Sequence, residues 1–169
     1  LSYIYRIAAE LRDAVQHPLV LVMKSTVPPG TGIKLIRRYL KGTPITYVSN
    51  PEFLREGQAI EDWHHPNRIV VGVENSQLAD KVSRLSSGLD APILVADITS
   101  AEMIKYSSNA FLVTKISFIN EIANLCEAIG ANIDDVARGV GMDPRIGSAF
   151  LRAGLGYGGS CFPKDARAL

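Results

Sequence analysis

From Thr99 to Ile129 the chain contains neither glycine nor proline, and Gly130 ends this stretch. Thr99 with Glu102 three residues later is typical of a capping box at a helix N-terminus. The stretch therefore predicts one helix of about 30 residues, on the order of 45 Å long. Apolar residues lie on nearly every side of it; they are Met103, Ile104, Phe111, Leu112, Val113, Ile116, Phe118, Ile119, Ile122, Leu125 and Ile129. One small domain cannot cover so many faces of a long helix, so we expect a homodimer or higher homo-oligomer.

Before this helix, short apolar runs alternate with amphipathic segments. Strands are predicted at 19–23, 45–48, 68–73 and 93–95, with helices near the N-terminus, at 33–40 and at 77–85. The run at 19–23 is expected to be buried on both faces, as in a parallel sheet. Residues 1–97 thus predict an α/β unit that is about half of a doubly wound sheet. Residues 98–169 predict an all-α dimerisation domain, in which Asn132 caps a shorter helix after the long one.

Composition excludes several classes of function. The 169 residues carry 18 Lys and Arg against 17 Asp and Glu, a net charge of +1, so we expect neither a nucleic-acid nor a membrane partner. No apolar run is long enough to cross a bilayer and no leader is evident, so we expect a cytoplasmic protein. Two cysteines form neither a disulfide scaffold nor a zinc pattern. The adjacent His64 and His65, like His17, are expected on the surface, and no metal site is predicted.

Two stretches match the dinucleotide fingerprint GxGxxG loosely. In 154–159 all the glycines are present, but no strand precedes them and Pro163 stands where the following helix should form. In 30–35 a strand precedes and a helix follows, but Leu35 occupies the third glycine position. We therefore interpret 30–32 as a tight turn and 154–159 as a flexible loop whose amides a ligand can approach.

Three groups of residues are candidates for chemistry. Cys161 follows the glycine-rich loop, and Lys164 nearby favours its thiolate, so it is the candidate nucleophile; the alternative is a buried small apolar residue. Cys126 is predicted to pack in the core. Lys105 and Asn109 share one helix face and can stabilise an oxyanion; the alternative is a solvated stripe. Glu52 and Glu56 have the same spacing, and the alternative for them is a surface acidic pair.

Five motifs together resemble one enzyme family. In order, and near the expected spacing, they are KSTVP at 24–28, NPEFLREG at 50–57, PNRIVVG at 66–72, Lys105 with Asn109, and GYGGSCFPKD at 156–165. The whole chain is similar to the UDP-glucose/GDP-mannose 6-dehydrogenase family. The last motif is the most specific, and it looks most like the branch that oxidises UDP-glucose. Oxidation of GDP-mannose or of a UDP-N-acetylhexosamine remains the alternative within the family.

The resemblance implies an NAD-dependent four-electron oxidation of a sugar primary alcohol to a carboxylate, as in polysaccharide biosynthesis. Cys161 would trap the aldehyde as a thiohemiacetal, which is then oxidised to a thioester. Lys105 and Asn109 would stabilise oxyanions, while Asp165 and Thr26 would position water. Glu52 would contact the substrate and act as acid or base.

The resemblance also implies binding roles. Thr26, Glu56 and Lys164 would lie beside NAD. The implied substrate-binding residues are Glu52, Phe53, Leu54, Arg55, Lys105, Asn109, Arg145, Phe150, Leu151, Arg152, Ala153, Gly154 and Gly158. Arg145 matches an arginine that reaches into the substrate site of the neighbouring subunit, which is consistent with the dimer expected from the long helix.

Two features of the family are missing from this sequence. Family members open with a strand, a true GxGxxG and an acidic residue for the ribose, and they end with a third domain that completes the UDP-sugar site. The resemblance therefore implies that residues 1–97 are the second half of a Rossmann-like NAD-binding domain. We expect this chain to be an internal fragment that alone binds NAD poorly and turns over nothing. The alternative of another class is a non-catalytic dimerisation or binding module.

Overall fold

The computed structural model describes residues 1–168, with the side chains of Ser76, Gln77 and Leu85 left aside. Two compact units divide the chain, Leu1–Lys105 and Tyr106–Leu169. The elements in chain order are α1 (Ser2–Ala14), β1 (Leu19–Met23), α2 (Thr31–Leu35, continued by a π-helical turn Ile36–Leu40), β2 (Ile45–Ser49), α3 (Ala59–His64), β3 (Ile69–Gly72), α4 (Ser76–Ser83, followed by a 3-10 turn Arg84–Ser86), β4 (Ile93–Ala96), α5 (Ile98–Ile129), α6 (Ile133–Gly141) and α7 (Phe162–Ala168).

The first unit contains one four-stranded sheet in the order β1-β2-β3-β4. The pairs β1/β2 and β3/β4 are parallel, but β2 and β3 are antiparallel and pair only at Ser49 and Gly72. The predicted α/β class is confirmed, while the sheet is mixed rather than wholly parallel. The segment between β2 and β3 carries only the short α3, and the two strands meet at their last residues.

The sheet separates two apolar clusters, because neighbouring residues of a strand point to opposite faces. Ile45 and Tyr47 of β2 pack with residues of α1 and α2 and with Ile98 on one face. Val48 packs with β3 and with α4 residues on the other face. Helices therefore cover both faces of the sheet, as the alternation of strands and helices predicted.

The prediction that β1 is buried on both faces is wrong. Leu19 and Val20 are 39% and 38% exposed, and the other residues of β1 are only half-buried. The reason is position, since β1 lies at one edge of the sheet among the described residues. Its apolar sequence indicated a strand but could not distinguish a central strand from an edge strand.

The long helix α5 is confirmed, and it has 32 residues. The predicted capping box is wrong, however, because Asp97 caps the helix by accepting a hydrogen bond from the backbone N–H of Ser100 at 2.9 Å. Glu102 is 2% exposed, and its carboxylate accepts from the backbone N–H groups of Gly30 at 2.6 Å and Gly32 at 2.7 Å. The Glu102 carboxylate therefore does not form the predicted capping box, and instead links the start of α5 to the start of α2 within the first unit.

Two shorter helices belong to the second unit. Asn132 caps α6 as predicted, since its side-chain oxygen accepts from the backbone N–H groups of Asp134 and Asp135, and α6 ends at Gly141. The expectation that Pro163 prevents a helix after the glycine-rich loop is wrong, because α7 begins at Phe162. Proline is tolerated in the first turn of a helix, where the missing N–H has no partner within the helix. None of the helices between residues 1 and 168 has the length and hydropathy needed to cross a membrane.

Candidate active site

Thr26, Glu52 and Glu56 follow the carboxyl ends of β1 and β2. Because these two strands are parallel, their carboxyl ends lie together on one side of the sheet, which we call its carboxyl edge. This is where α/β proteins bind their ligands. Thr26 is half-buried, whereas both glutamates are exposed. The edge therefore presents a hydroxyl and two accessible carboxylates.

A cavity of about 350 Å³ opens beside this edge. Three predicted substrate-binding residues, Glu52, Phe53 and Leu54, contribute to its wall. Sequence reasoning missed the other polar and aromatic side chains there, which are Lys24, Asn50, Asp62, Trp63, Asn67, Arg68 and Ser86. Four of them belong to the recognised motifs, namely Lys24, Asn50, Asn67 and Arg68, but no spacing signal indicated that they line the same cavity as Glu52.

Two cationic side chains lie over the ring of Phe53. The guanidinium of Arg68 lies 3.8 Å from the ring centroid and the amino group of Lys105 lies 5.1 Å from it. Such contacts are attractive because the face of an aromatic ring is electronegative. Lys105 is only 8% exposed, so it is not part of a solvated stripe. Phe53 therefore holds Lys105 close to the motif that carries Glu52.

Lys24 is held in a similar way. Its amino group donates to the side-chain oxygen of Asn50 at 3.0 Å and lies 5.4 Å from the ring centroid of Trp63. Burial lowers the pKa of Lys24, and the negative charge of Glu52 partly opposes this effect. The side-chain amide of Asn50 also donates to the backbone carbonyl of Val70 at 2.8 Å. Asn50 therefore connects Lys24, which follows β1, to β3.

Arg55 is paired within the protein. Its guanidinium donates to both carboxylate oxygens of Asp62, and its backbone N–H donates to the same group at 2.7 Å. The hydrogen bonds from the Arg55 side chain hold the pKa of Asp62 below its usual range. Arg55 therefore fixes the loop against α3, and its guanidinium is already engaged.

In the second unit, Asp165 is the most buried of the predicted catalytic groups, at 1% exposure. One carboxylate oxygen accepts from the Asn109 side-chain amide at 2.6 Å, and the other accepts from the Lys164 amino group at 2.7 Å. Burial acts to lower the pKa of Lys164, but the hydrogen bond and charge of Asp165 outweigh it, so that this pKa is raised. Asn109 is itself 6% exposed, so the solvated alternative fails for it as well.

Cys161 immediately precedes α7 and is exposed, as a nucleophile requires, whereas Cys126 is 5% exposed and packs in the core. The sequence predicted both environments. The carbonyl of Cys161 accepts from the backbone N–H of Asp165 at 2.9 Å, and the Ser160 hydroxyl lies 3.7 Å from the sulfur. The first turn of α7 thus connects the exposed thiol to the buried carboxylate.

The loop from Phe150 to Gly154 is fixed by aromatic and polar contacts. Phe150 has a positive φ of 65°, which is uncommon for a bulky side chain, and its ring centroid lies 6.3 Å from that of Phe162. Asn120 of α5 accepts a hydrogen bond from the Gly154 backbone N–H at 2.9 Å. Leu151 is buried, Ala153 is half-buried, and Arg152, Gly154 and Gly158 are exposed. The strained Phe150 and the contact with Asn120 had no signal in the sequence.

Arg145 lies in the turn after α6, five residues before Phe150. Its guanidinium is exposed and donates to both carboxylate oxygens of Asp143. Lys115 of α5 donates to the backbone carbonyls of Ile146 at 3.0 Å and Gly147 at 3.3 Å, which fixes the end of this turn. Arg145 is thus presented to solvent from an ordered segment.

The backbone N–H groups of the tight turn at Gly30–Gly32 are occupied, so they cannot bind a phosphate group. Backbone N–H groups at the start of a helix bind anions, but here the carboxylate of Glu102 already accepts from them. Burial raises the pKa of Glu102, while these backbone hydrogen bonds act in the opposite direction. The turn is therefore not a pyrophosphate loop, as the missing third glycine indicated. Between residues 1 and 168 no group of three or more His, Cys, Asp or Glu side chains is placed to hold a metal.

Comparison with known families covers most of the chain. Residues 1–89 match the NAD binding domain of the UDP-glucose/GDP-mannose dehydrogenase family, and residues 99–169 match its central domain. The chain belongs to this family. Thr26 and Glu56 lie in the part matched to the NAD binding domain, and Cys161 lies in the part matched to the central domain.

Relatives within the UDP-glucose/GDP-mannose dehydrogenase family support this assignment. A UDP-glucose 6-dehydrogenase from Rhizobium meliloti is 52% identical over 100% of this chain and 40% of its own length. The structure of a UDP-glucose dehydrogenase from Pyrobaculum islandicum matches with a TM-score of 0.87 and 40% identity, over 99% of this chain and 39% of that one. A GDP-mannose dehydrogenase from Pseudomonas aeruginosa matches with a TM-score of 0.77 and 34% identity, over 99% and 41%. The chain spans about 40% of the length of the curated relatives it matches.

Proposed function

We propose that this chain is the catalytic part of an NAD-dependent UDP-glucose 6-dehydrogenase, which oxidises UDP-glucose to UDP-glucuronate. The observation that carries the proposal is the exposed Cys161, joined through the first turn of α7 to the buried Asp165, which Asn109 and Lys164 hold. This is the arrangement needed by an enzyme that forms a covalent intermediate and then hydrolyses it. Relatives about half identical to this chain carry the name of this activity.

Thr26, Glu56 and Lys164 would hold NAD, and NAD supplies the hydride acceptor when it is bound. The position of Thr26 and Glu56 after two parallel strands fits the binding of a nucleotide at that edge. Pyrophosphate recognition by the Gly30–Gly32 turn is not part of the proposal, because Glu102 fills that turn.

The reaction begins with loss of a hydride from C6 of the sugar and of a proton from the hydroxyl oxygen on that carbon, which gives an aldehyde. The Cys161 sulfur then adds to the aldehyde carbon to form a thiohemiacetal, and Lys105 and Asn109 stabilise its oxygen. Loss of a second hydride and a proton leaves a thioester. Water positioned by Asp165 and Thr26 attacks this thioester, with Glu52 as acid or base, and the carbon–sulfur bond breaks to release the carboxylate and the thiol.

Substrate is held, in this proposal, by the 52–55 loop, the 150–154 loop and Gly158, with Arg145 contributing to the site of a second subunit. The electron balance fixes the stoichiometry: one alcohol and one water give one carboxylate, two hydrides and three protons. The product is the kind of donor that polysaccharide biosynthesis uses. We place the reaction in the cytoplasm, where NAD and nucleotide sugars are available.

The first test is a stoichiometry measured on the full-length protein, by which we mean the whole gene product that carries this chain. Incubation with limiting UDP-glucose and excess NAD is expected to form two NADH and one UDP-glucuronate per sugar, measured by absorbance and chromatography. A ratio of one would contradict the four-electron reaction. Parallel assays with GDP-mannose and UDP-N-acetylhexosamines distinguish the branches of the family, and no NADH with any sugar would favour the non-catalytic module.

We also propose that the enzyme is a homodimer or higher homo-oligomer that packs through α5. Phe111, Phe118 and Leu125 are 65%, 51% and 59% exposed, and they recur every seven residues along one side of the helix. This spacing is typical of a seam between packed helices. Aligned apolar side chains on so long a helix favour a second copy as the occupant of the seam.

Sedimentation velocity of the full-length protein tests the dimer. The wild type is expected to sediment as a dimer or larger species, and Phe118→Glu is expected to shift it toward the monomer, because a charge would be buried at the centre of the seam. Ile60→Glu is the matched control, since Ile60 is 79% exposed on α3, away from α5 in the sequence. A wild type that remains monomeric at high concentration would refute the interface.

A further inference from the structure

Glu102 lies outside the five motifs that carry the family resemblance, and yet it is among the most buried charged side chains described. It is 2% exposed, and its two carboxylate oxygens accept separately from Gly30 and Gly32 at 2.6 and 2.7 Å. Burying a carboxylate costs free energy unless hydrogen bonds compensate, and backbone N–H groups at a helix start are strong compensating donors. Glu102 is therefore an internal anion that occupies the N-terminus of α2.

The contact leaves little freedom on either side. A Cβ on Gly32 would lie 2.5 Å from Ile98, 2.6 Å from Tyr47 and 3.0 Å from Glu102 itself, so only glycine allows this approach. Thr31 completes the turn by donating its hydroxyl to the carbonyl of Pro28. The carboxylate and the turn thus fit each other at van der Waals distance, and neither can shift without breaking hydrogen bonds.

The two segments that Glu102 joins carry residues of the proposed site. The turn ends the loop that begins with Thr26, and Val27, the residue after it, is 2% exposed and anchored in the core. Glu102 itself precedes Lys105 by three residues, so both lie on the same turn of α5. All of these residues belong to the first unit. A displacement of Glu102 would therefore move Thr26 relative to Lys105.

We infer that Glu102 is a positioning residue of the dehydrogenase reaction, which sets the Thr26 loop against the turn of α5 that carries Lys105. The inference rests on the proposed function. Misplacing a catalytic group by about 1 Å costs on the order of 100-fold in rate. Glu102 contacts neither the substrate nor the cofactor in this role and acts only through Thr26 and Lys105.

The test uses the full-length protein with Glu102→Gln, in which one hydrogen-bond acceptor becomes a donor that faces a backbone N–H. The turnover number is expected to fall about 10- to 100-fold, with the KM for UDP-glucose unchanged. Glu127→Gln, at an exposed position of the same helix, is expected to behave as wild type. A double variant of Glu102→Gln with Thr26→Ala is expected to be slower than the wild type by less than the product of the two single effects, because part of the Glu102 effect acts through Thr26.

A merely structural role would give a different pattern. Glu102→Gln would then lower the melting temperature but keep the turnover number per folded molecule, and its effect would multiply with that of Thr26→Ala; either result overturns the inference. If Glu102→Gln does not fold, Glu102→Asp keeps the charge but shortens the reach, and wild-type turnover by this variant would also overturn it. A wild type that forms no NADH refutes the proposed function itself, whereas an active wild type with a fully active Glu102→Gln refutes only this inference.

Discussion

Replacing Cys161 with serine in the full-length protein is expected to abolish UDP-glucuronate formation, with a loss of at least about 10⁴-fold in turnover. The reason is that a serine hydroxyl is a far weaker nucleophile than a thiolate, so the aldehyde is not captured and the second oxidation has no thiohemiacetal to act on. The exposure of Cys161 after the glycine-rich loop makes it available for this attack. The measurement is a joint assay of NADH by absorbance and of sugar product by chromatography.

Cys126→Ser is the matched control, because it makes the same chemical change at a thiol that is 5% exposed. This variant is expected to lose some thermal stability through a buried hydroxyl and to retain the turnover number of the wild type. Undiminished uronate formation by Cys161→Ser would remove this residue from the mechanism. Loss of activity in both variants, with both proteins folded, would show that the assay does not report on the nucleophile.

The second large effect is expected for Asp165→Asn. The Asp165 carboxylate accepts from Asn109 at 2.6 Å and from Lys164 at 2.7 Å, and an amide can accept on only one side. Its new NH₂ group would face either another amide donor or an ammonium group. Turnover is expected to fall about 100- to 1,000-fold, because the water that hydrolyses the thioester loses its positioning group. The melting temperature is expected to fall as well, since a buried donor is left without an acceptor.

The reaction step that is slowed distinguishes a role of Asp165 in thioester hydrolysis from a general loss of folded structure. Because hydrolysis is the slowed step, the variant is expected to show a burst of NADH and to accumulate a covalent sugar adduct on Cys161, detected by intact-protein mass spectrometry. Asp134→Asn, at an exposed position in the first turn of α6, provides the control and is expected to show neither change. A folded Asp165→Asn enzyme that is slow without any adduct would place Asp165 in an earlier step.

The sequence predicted the local features of the fold well, because they depend on neighbouring residues. The absence of glycine and proline from 99 to 129 predicted α5, and the side-chain chemistry of Asn132 predicted its cap on α6. The environments of the two cysteines also followed from their neighbours, glycines for Cys161 and apolar residues for Cys126. The pattern at β1 indicated a strand but not its exposure, because exposure depends on which elements pack against it.

The candidate site was predicted only in part. The motifs named Glu52, Lys105, Asn109, Cys161 and Asp165 as site residues, but they did not show what each side chain contacts. Phe53 supports two cations and Arg55 is paired with Asp62; neither contact has a signature in sequence spacing. The domain boundary at 97/98 and the individual catalytic roles stay predictions.

The stretch from 99 to 129, which lacks glycine and proline, by itself determined a helix of about 30 residues. The reason is that helix propagation needs only local backbone hydrogen bonds. Only the tertiary structure decided which groups the side chains in the first turns of this helix contact. Glu102 reads as the end of a capping box, but Asp97 caps the helix, and Glu102 binds the turn at Gly30–Gly32, some 70 residues earlier in the chain. A buried carboxylate is stabilised by the donors that folding brings near it, and in this chain those donors are distant in sequence.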